Sequence, residues 1–125
     1  MIQLILGEIM KYTKSLKGSV NFKRVLKQGR YVSGSNIAIY VKRNNLDEEK
    51  NLLGICVSKK HGNAVVRNKL KRWAREVYYS LENELDKKYN IVILYRKGID
   101  IKKLNYFVLK DEIRGLFIKN EMIHE

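Results

Sequence analysis

The sequence predicts a single two-layer α+β domain with the element order αβββαβα. Short stretches that alternate between apolar and polar side chains indicate strands, and longer stretches with apolar residues at helical spacing indicate amphipathic helices. The chain has 125 residues, a length that suits one domain with one hydrophobic core.

The composition gives this scaffold a strong positive charge. Lysine and arginine number 26 against 13 acidic residues, so the formal net charge is +13. This balance predicts attraction to polyanions, with nucleic acid as the leading partner and an anionic membrane as the weaker one. The single cysteine, Cys56, cannot form an internal disulfide, and its apolar neighbours indicate a small buried side chain in a protein of the reducing cytoplasm.

The two ends of the chain are expected to lie outside the folded domain. Residues 1–10 include an apolar run that is too short to span a bilayer and lacks a basic segment before it, so it is neither an anchor nor a signal peptide. We expect residues 1–11 to be a disordered extension, with Met10 as the working start. The domain is expected to cover residues 12–120, and residues 121–125 are expected to fray.

The first predicted helix is Ser19–Gln28. Ser19 can cap it through its hydroxyl group, and Gly29 can end it. One face of this helix is apolar and carries Phe22, Val25 and Leu26.

Three strand-like stretches follow this helix. Arg30–Val32 is short, Ile37–Lys42 alternates, and Leu52–Ser58 alternates after a polar loop at Leu46–Asn51. One face of the third strand carries three small residues, which leave room for a ligand across the sheet: Gly54, Cys56 and Ser58.

Tyr40 and Lys42 share one face of the second strand, next to these small residues. A tyrosine ring can stack on a base and a lysine can bind a phosphate. From the residues alone, an ordinary half-buried sheet tyrosine is the favoured interpretation of Tyr40.

A second predicted helix begins after Gly62, which permits a chain reversal, and Asn63, which can cap it. It is expected to run to about Leu85. Its apolar stripe comprises Val66, Leu70, Trp73, Val77 and Leu81. Its opposite side is cationic and polar, with Arg67, Asn68, Lys71, Arg72 and Arg75.

A basic helix surface is often simply solvated. Two features favour phosphate binding here. Glu76 is the one acid near the basic side, so it can neutralise little of the charge. Lys59 and Lys60 precede the helix N-terminus, where the free amides and the helix dipole also attract an anion.

The second half of the chain completes the sheet and the helical layer. Tyr89–Tyr95 is a continuous apolar run, typical of a strand buried on both faces. Arg96 and Lys97 follow it and could contact a second phosphate or simply be solvated. Residues 102–119 are predicted to form a supporting helix, whose core-facing stripe is Tyr106, Leu109, Ile113, Leu116 and Phe117.

The segment Ser58–Glu76 closely resembles the signature of the bacterial ribonuclease P protein family, the small basic partners of a catalytic RNA. The shared pattern is Lys-Lys-x-Gly-x-Ala-Val-x-Arg-Asn-x-x-Lys-Arg-x-x-Arg. Lys69 departs from it, because the family usually has arginine there and lysine replaces a planar fork with a point charge. The resemblance extends from about Tyr12 to about Lys119.

This resemblance implies a ribosomal-protein-S5-domain-2-like fold with a left-handed βαβ crossover. It implies that the basic helix and the turn before it bind the catalytic RNA through Lys59, Lys60, Asn63, Arg67, Asn68, Lys69, Lys71, Arg72 and Arg75. It also implies a cleft for the single-stranded 5′ leader of precursor tRNA, lined by Phe22, Leu26, Tyr40, Lys42, Arg96 and Lys97. For Phe22 and Tyr40, core packing remains an equal alternative.

No catalytic or metal-binding constellation is evident in the sequence. His61 and His124 have no evident partner and are interpreted as solvated, and neither CxxC nor HExxH occurs. The resemblance implies that the RNA subunit and its bound Mg²⁺ cut the precursor tRNA, with no metal held tightly by the protein.

Two other functions remain open on the sequence alone. One is an RNA-binding protein of the ribosomal type or an RNA chaperone, which the composition permits. The other is a DNA-binding module with its basic helix in the major groove, although no tandem helix-turn-helix pattern supports it.

Overall fold

Five strands and three helices build the fold across residues 10–125, the part of the chain that the computed structural model describes. In chain order they are β1 (Thr13–Ser15), α1 (Ser19–Gln28), β2 (Arg30–Ser33), β3 (Ile37–Arg43), β4 (Asn51–Cys56), α2 (Ala64–Leu81), β5 (Tyr89–Tyr95) and α3 (Tyr106–Lys119). The strands form one sheet in the order β1-β4-β5-β3-β2. Strands β1, β4 and β5 are parallel, and β3 is antiparallel to both β5 and β2.

The α+β class and the predicted order of elements are confirmed, with β1 added at the start. This strand has three residues, too few to show an alternating pattern. Glu82 holds it in place: its buried carboxylate accepts hydrogen bonds from the backbone amides of Lys11 (3.0 Å) and Tyr12 (3.2 Å) and from the Thr13 hydroxyl. Lys11 was expected in the disordered extension and instead belongs to the fold.

Met10 also packs against the core, whereas the rest of the predicted extension, residues 1–9, lies outside the described residues.

The two faces of the sheet carry different cores. On one face, the alternating residues Ile37, Ile39 and Val41 are buried with α2 and α3, which confirms the predicted alternation of β3. On the other face, α1 covers part of the sheet by placing Val25 against Val92. The helical layer of α2 and α3 therefore lies on one face, while the face under α1 remains partly open.

Several element ends differ from the predictions. Helix α1 is preceded by Gly18 without a side-chain cap, so Ser19 is its first residue and does not cap it. Strand β4 ends at Cys56, because Ser58 instead caps the 3-10 turn Lys59–His61. Helix α2 ends at Leu81 and passes into a 3-10 turn at Glu82–Glu84.

The end of the chain is packed, so the predicted fraying of residues 121–125 is wrong for its apolar part. Met122 and Ile123 are buried in the main core. The Asp86 amide donates to the Met122 carbonyl oxygen at 2.9 Å, and the Arg30 guanidinium donates to the Asn120 carbonyl oxygen at 3.0 Å. Apolar side chains that reach the core outweigh the usual tendency of a terminus to detach.

Between residues 10 and 125, no helix combines the length and the apolar character needed to cross a membrane.

Candidate nucleic-acid interface

The start of α2 is built as the sequence predicts. Gly62 adopts a φ of 143°, and the Asn63 side-chain oxygen accepts a 3.0 Å hydrogen bond from the Val66 amide. Lys59 and Lys60 are exposed in the 3-10 turn just before the helix. Two cations and the free amides of a long helix therefore lie together at one point.

His61 in the same turn is buried, so the prediction of a solvated side chain is wrong. Its Nδ1 atom accepts a 3.0 Å hydrogen bond from the Ser58 amide, and its Nε2 atom donates to the Arg96 carbonyl oxygen at 2.8 Å. Both partners require the neutral tautomer with the proton on Nε2. His124 is exposed as predicted, but it has a partner, because its Nε2 atom lies 2.9 Å from an Asp86 carboxylate oxygen.

The cations of α2 occupy more than one side of the helix. Arg67, Lys71 and Arg75 follow each other at intervals of four residues and form one half-buried row, called the cationic row below. Asn68 is exposed, and Arg72 is half-buried. Lys69 turns to another flank, where its Nζ atom lies 4.7 Å from the centre of the Trp73 ring.

Little acidic charge opposes the cationic row. Among the described residues, its three members form no ion pair, and the Arg72–Glu76 pair is long at 3.8 Å. Burial lowers the pKa of Arg75 because it removes water from the guanidinium group. An arginine pKa starts so high that the group stays charged near neutral pH, so the row is a fixed concentration of positive charge.

An open cleft of about 420 Å³ lies beside this row, at the carboxyl ends of β4 and β5. Its lining combines apolar and small side chains with two lysines, and includes Phe22, Cys56, Ser58, Lys71, Leu94 and Lys97. Lys71 therefore faces the cleft rather than the outer side of α2 where the sequence analysis placed it. Helical spacing alone assigned it to the back of the helix, whereas the position of β4 brings it to the cleft.

Phe22 forms both a wall of the cleft and part of the core behind it. Its ring packs so closely on Gly54 that a Cβ atom at Gly54 would lie 2.3 Å from it. The small face of β4 predicted from the sequence is thus filled at Gly54 by Phe22 and remains accessible at Cys56. Leu26 and Tyr40 pack in the same apolar cluster as Phe22.

Tyr40 is half-buried, and Tyr31 lies directly opposite it in the β2–β3 pair. The two ring centres are 5.0 Å apart and the planes are tilted by 46°. Burial raises the pKa of Tyr40, and the Tyr31 hydroxyl and the Cys56 thiol raise it further, so these polar groups lie near one another. Tyr31 is not among the site residues predicted from the sequence, although a hairpin register for β2 and β3 pairs it with Tyr40.

The remaining predicted leader contacts are divided between the two ends of the sheet. Lys97 lines the cleft, and the Arg96 guanidinium donates to the Gly34 carbonyl oxygen in the β2–β3 turn. Lys42 pairs with Asn90, five residues along β5 from Tyr95. That separation is about 16 Å, so Lys42 does not belong to the cleft beside Lys97.

The chain resembles known proteins in both sequence and fold. A family model described as Ribonuclease P matches residues 10–121. The chain belongs to the ribonuclease P protein family. The ribonuclease P protein component of Dictyoglomus turgidum is 36% identical over 105 residues, which are 83% of this chain and 86% of that relative. That of Petrotoga mobilis is 32% identical over 117 residues, or 92% and 98% of the two chains.

Solved structures of the ribonuclease P family share the fold. The RNase P protein of Staphylococcus aureus superposes with a TM-score of 0.76 at 27% identity, covering 91% of this chain and 99% of that one. The RNase P protein of Thermotoga maritima gives a TM-score of 0.75 at 25% identity, covering 85% and 96%.

The match to the ribonuclease P family includes the cationic row, both sides of the cleft and the buried turn at His61. Within residues 10–125 of this family member, no three histidine, cysteine, aspartate or glutamate side chains are arranged to hold a metal ion.

Proposed function

We propose that this chain is the protein subunit of a cytoplasmic ribonuclease P, which removes the 5′ leader from precursor tRNA. One observation carries the proposal: the cationic row of α2 and the cleft beside it share Lys71. A surface that binds folded RNA is thus continuous with a cleft that suits a single strand.

The cationic row, Arg72 and the N-terminus of α2 supply the docking surface for the catalytic RNA. Each lysine or arginine that neutralises a phosphate releases bound counterions, so the affinity falls steeply with rising salt. Asn68 is the neutral member of this surface and can form hydrogen bonds with a base edge or a ribose. Lys69 is held against Trp73 and has the least direct part in docking.

The cleft supplies the grip on the 5′ leader. Bases stack on aromatic rings without strong sequence preference, and Phe22 provides a half-exposed ring at the cleft wall. Lys71 and Lys97 can bind the phosphates of a strand in the cleft. Mature tRNA has lost the leader, so a protein that binds the leader distinguishes the precursor substrate from the mature product.

The proposal assigns the chemical step to the RNA and to Mg²⁺ bound mainly by it. The ion supplies an activated water for phosphodiester hydrolysis. The protein contributes affinity, and its positive charge reduces the repulsion between phosphates that Mg²⁺ must otherwise overcome. His61 is not available as a general base, because both of its ring nitrogens are engaged in hydrogen bonds.

Reconstitution with a bacterial ribonuclease P RNA tests the proposal. Cleavage of precursor tRNA is measured with and without the protein over a Mg²⁺ titration, and binding is compared for tRNA with and without a leader. We expect the protein to lower the Mg²⁺ requirement and to increase affinity only for leader-bearing tRNA. RNA binding without either effect would overturn the proposal in favour of a general RNA-binding protein or chaperone.

A further inference from the structure

We propose that Tyr31 extends the leader-binding cleft across the sheet to the edge strand β2, where its ring stacks on a leader nucleotide distant from the cleavage site. This inference rests on the proposed function and adds a substrate-positioning residue to it. Tyr31 is the second residue of β2 and is 55% exposed.

The strand register places Tyr31 at the end of a straight line of side chains on the cleft side of the sheet. Gly54 of β4 pairs with Val92 of β5, Val92 pairs with Tyr40 of β3, and Tyr40 pairs with Tyr31 of β2. Paired residues point to the same face of a sheet. Phe22 lies over the first position, so aromatic rings occur at both ends of the line.

The next line of paired residues is made of shorter side chains. It runs from Cys56 through Leu94 and Ala38 to Ser33, again crossing from β4 to β2. Cys56 and Leu94 form the floor of the cleft, and Ser33 continues this line to the edge strand. Ala38 is only 2% exposed, so the short side chains of this line lie lower than the Tyr40 and Tyr31 rings beside them, and the path above them is called the channel below.

Positive charge follows the other side of this channel. Lys97 lines its cleft end, and Arg96 reaches the β2–β3 turn, where its guanidinium donates to the Gly34 carbonyl oxygen. Gly34 directly follows β2, so Arg96 lies at the same end of β2 as Ser33. The channel therefore has the Phe22 ring and Lys97 at its cleft end and the Tyr31 ring and Arg96 at its β2 end, and this combination of aromatic and cationic side chains suits single-stranded nucleic acid.

The core does not account for Tyr31. The ring contacts Tyr40 at an open angle of 46°, and its hydroxyl has no hydrogen-bond partner among residues 10–125. Exposure alone is common for a single aromatic side chain, and what distinguishes Tyr31 is its position opposite Tyr40, in line with the cleft. Contact with the Tyr40 ring on the neighbouring strand holds the Tyr31 ring in position to stack on a base.

A leader-length series tests this inference in the reconstituted holoenzyme. Affinity for precursor tRNA is measured as the leader is extended one nucleotide at a time, for the wild type and for Tyr31→Ala, Tyr31→Leu and Tyr31→Phe. Phe107→Ala is the matched control, since Phe107 is 74% exposed but lies on α3, behind the other face of the sheet. Thermal unfolding of each free protein establishes that the variants are folded.

We expect the wild-type affinity to rise in steps, the last of which needs a leader long enough to reach β2. Tyr31→Ala and Tyr31→Leu should lose only that step, about fivefold, the lower end for one base stacked on an aromatic ring. Tyr31→Phe and Phe107→Ala should retain it. Tyr31→Leu keeps an apolar side chain next to Tyr40. If this variant also loses the last affinity step, the step depends on stacking by the ring and not on a structural role.

Other outcomes overturn different statements. If Tyr31→Ala matches the wild type at every leader length, the inference is wrong while the proposed function stands. An equal loss for leaderless and leader-bearing tRNA also overturns it, because Tyr31 would then act elsewhere. If the affinity of the wild type is the same with and without a leader, the proposed function itself is wrong.

Discussion

The Nε2 atom of His61 donates a hydrogen bond to the Arg96 carbonyl oxygen, 2.8 Å away, and so joins the turn before α2 to the end of β5. The cations at the two ends of this link, Lys60 and Lys97, belong to the two proposed binding surfaces. The part-buried hydrogen bond between His61 and Arg96 holds these two surfaces next to each other.

Replacing His61 by alanine should therefore weaken both surfaces together. The Ser58 amide and the Arg96 carbonyl group would lose their buried partner, at a cost of about 1–3 kcal/mol in the free energy of unfolding. Urea unfolding measures this loss, and affinities for the RNA subunit and for leader-bearing tRNA should both fall. His124→Ala, at an exposed ring, should change stability by no more than about 0.5 kcal/mol. Equal stabilities for the two variants would contradict the assigned role of His61.

Two glycine-to-alanine replacements should have opposite effects. At Gly54 the new methyl group would lie 2.3 Å from the Phe22 ring, so α1 must shift and stability should fall by about 1–3 kcal/mol. At Gly115, within α3, no atom lies within 4 Å of the new methyl group, and stability should rise by about 0.5–1 kcal/mol. Chemical denaturation measures both, and only Gly54→Ala should weaken leader binding. A neutral Gly54→Ala would show that Phe22 is not held there.

Neutralising the cationic row should reduce the salt dependence of RNA-subunit binding. In the triple variant Arg67→Gln, Lys71→Gln, Arg75→Gln, each lost phosphate contact should lower the magnitude of the slope of log K against log salt by about one. Filter binding at several salt concentrations measures the slope. Lys119→Gln, at an exposed lysine at the end of α3, should leave it unchanged. An unaltered slope in a folded triple variant would remove the row from the interface.

Tyr78 should make the protein sensitive to alkali. Burial raises the pKa of Tyr78 from 10.0 to about 12, so the folded state retains a proton that the unfolded state loses. Its contribution is complete below pH 10.0 and is lost as the pH rises through about 12, at about 1.4 kcal/mol per pH unit. Burial also raises the pKa of Tyr95, which adds to the effect.

Urea unfolding over that alkaline range checks this expectation. Tyr78→Phe should be less stable near neutral pH, because the Thr13 hydroxyl loses its 2.8 Å partner, but its stability should decline less with pH. Tyr79→Phe, at an exposed neighbour, should follow the wild type. Parallel declines for the wild type and Tyr78→Phe would contradict the predicted role of Tyr78.

Much of the fold follows from local patterns in the sequence. The alternation of β3, the Asn63 cap and the apolar stripe of α2 each depend on residues close together in the chain, and the structure confirms them. The family signature also lies within one continuous segment. Such features are encoded by neighbours, so periodicity and capping rules can detect them.

The rest depends on contacts between distant parts of the chain. His61 is buried because Arg96 is near it in space. β1 is held in place by Glu82, about 70 residues away, which accepts hydrogen bonds from the Lys11 and Tyr12 amides just before the strand and from the Thr13 hydroxyl within it. The line from Gly54 to Tyr31 requires the registers of three strand pairs, none of which is evident from one strand alone. The place of Lys71 in the cleft depends on how β4 packs against α2, and helical spacing within α2 does not contain that information.

The lengths of the outermost strands bear on how this protein behaves at high concentration. β1 and β2 border the sheet with three and four residues, whereas the central strands β3 and β5 have seven each. A brief border offers few free amide and carbonyl groups to a second copy, so it gives a growing aggregate little template. Many copies crowded by electrostatic attraction along one polyanion should consequently stay dispersed rather than assemble into fibrils.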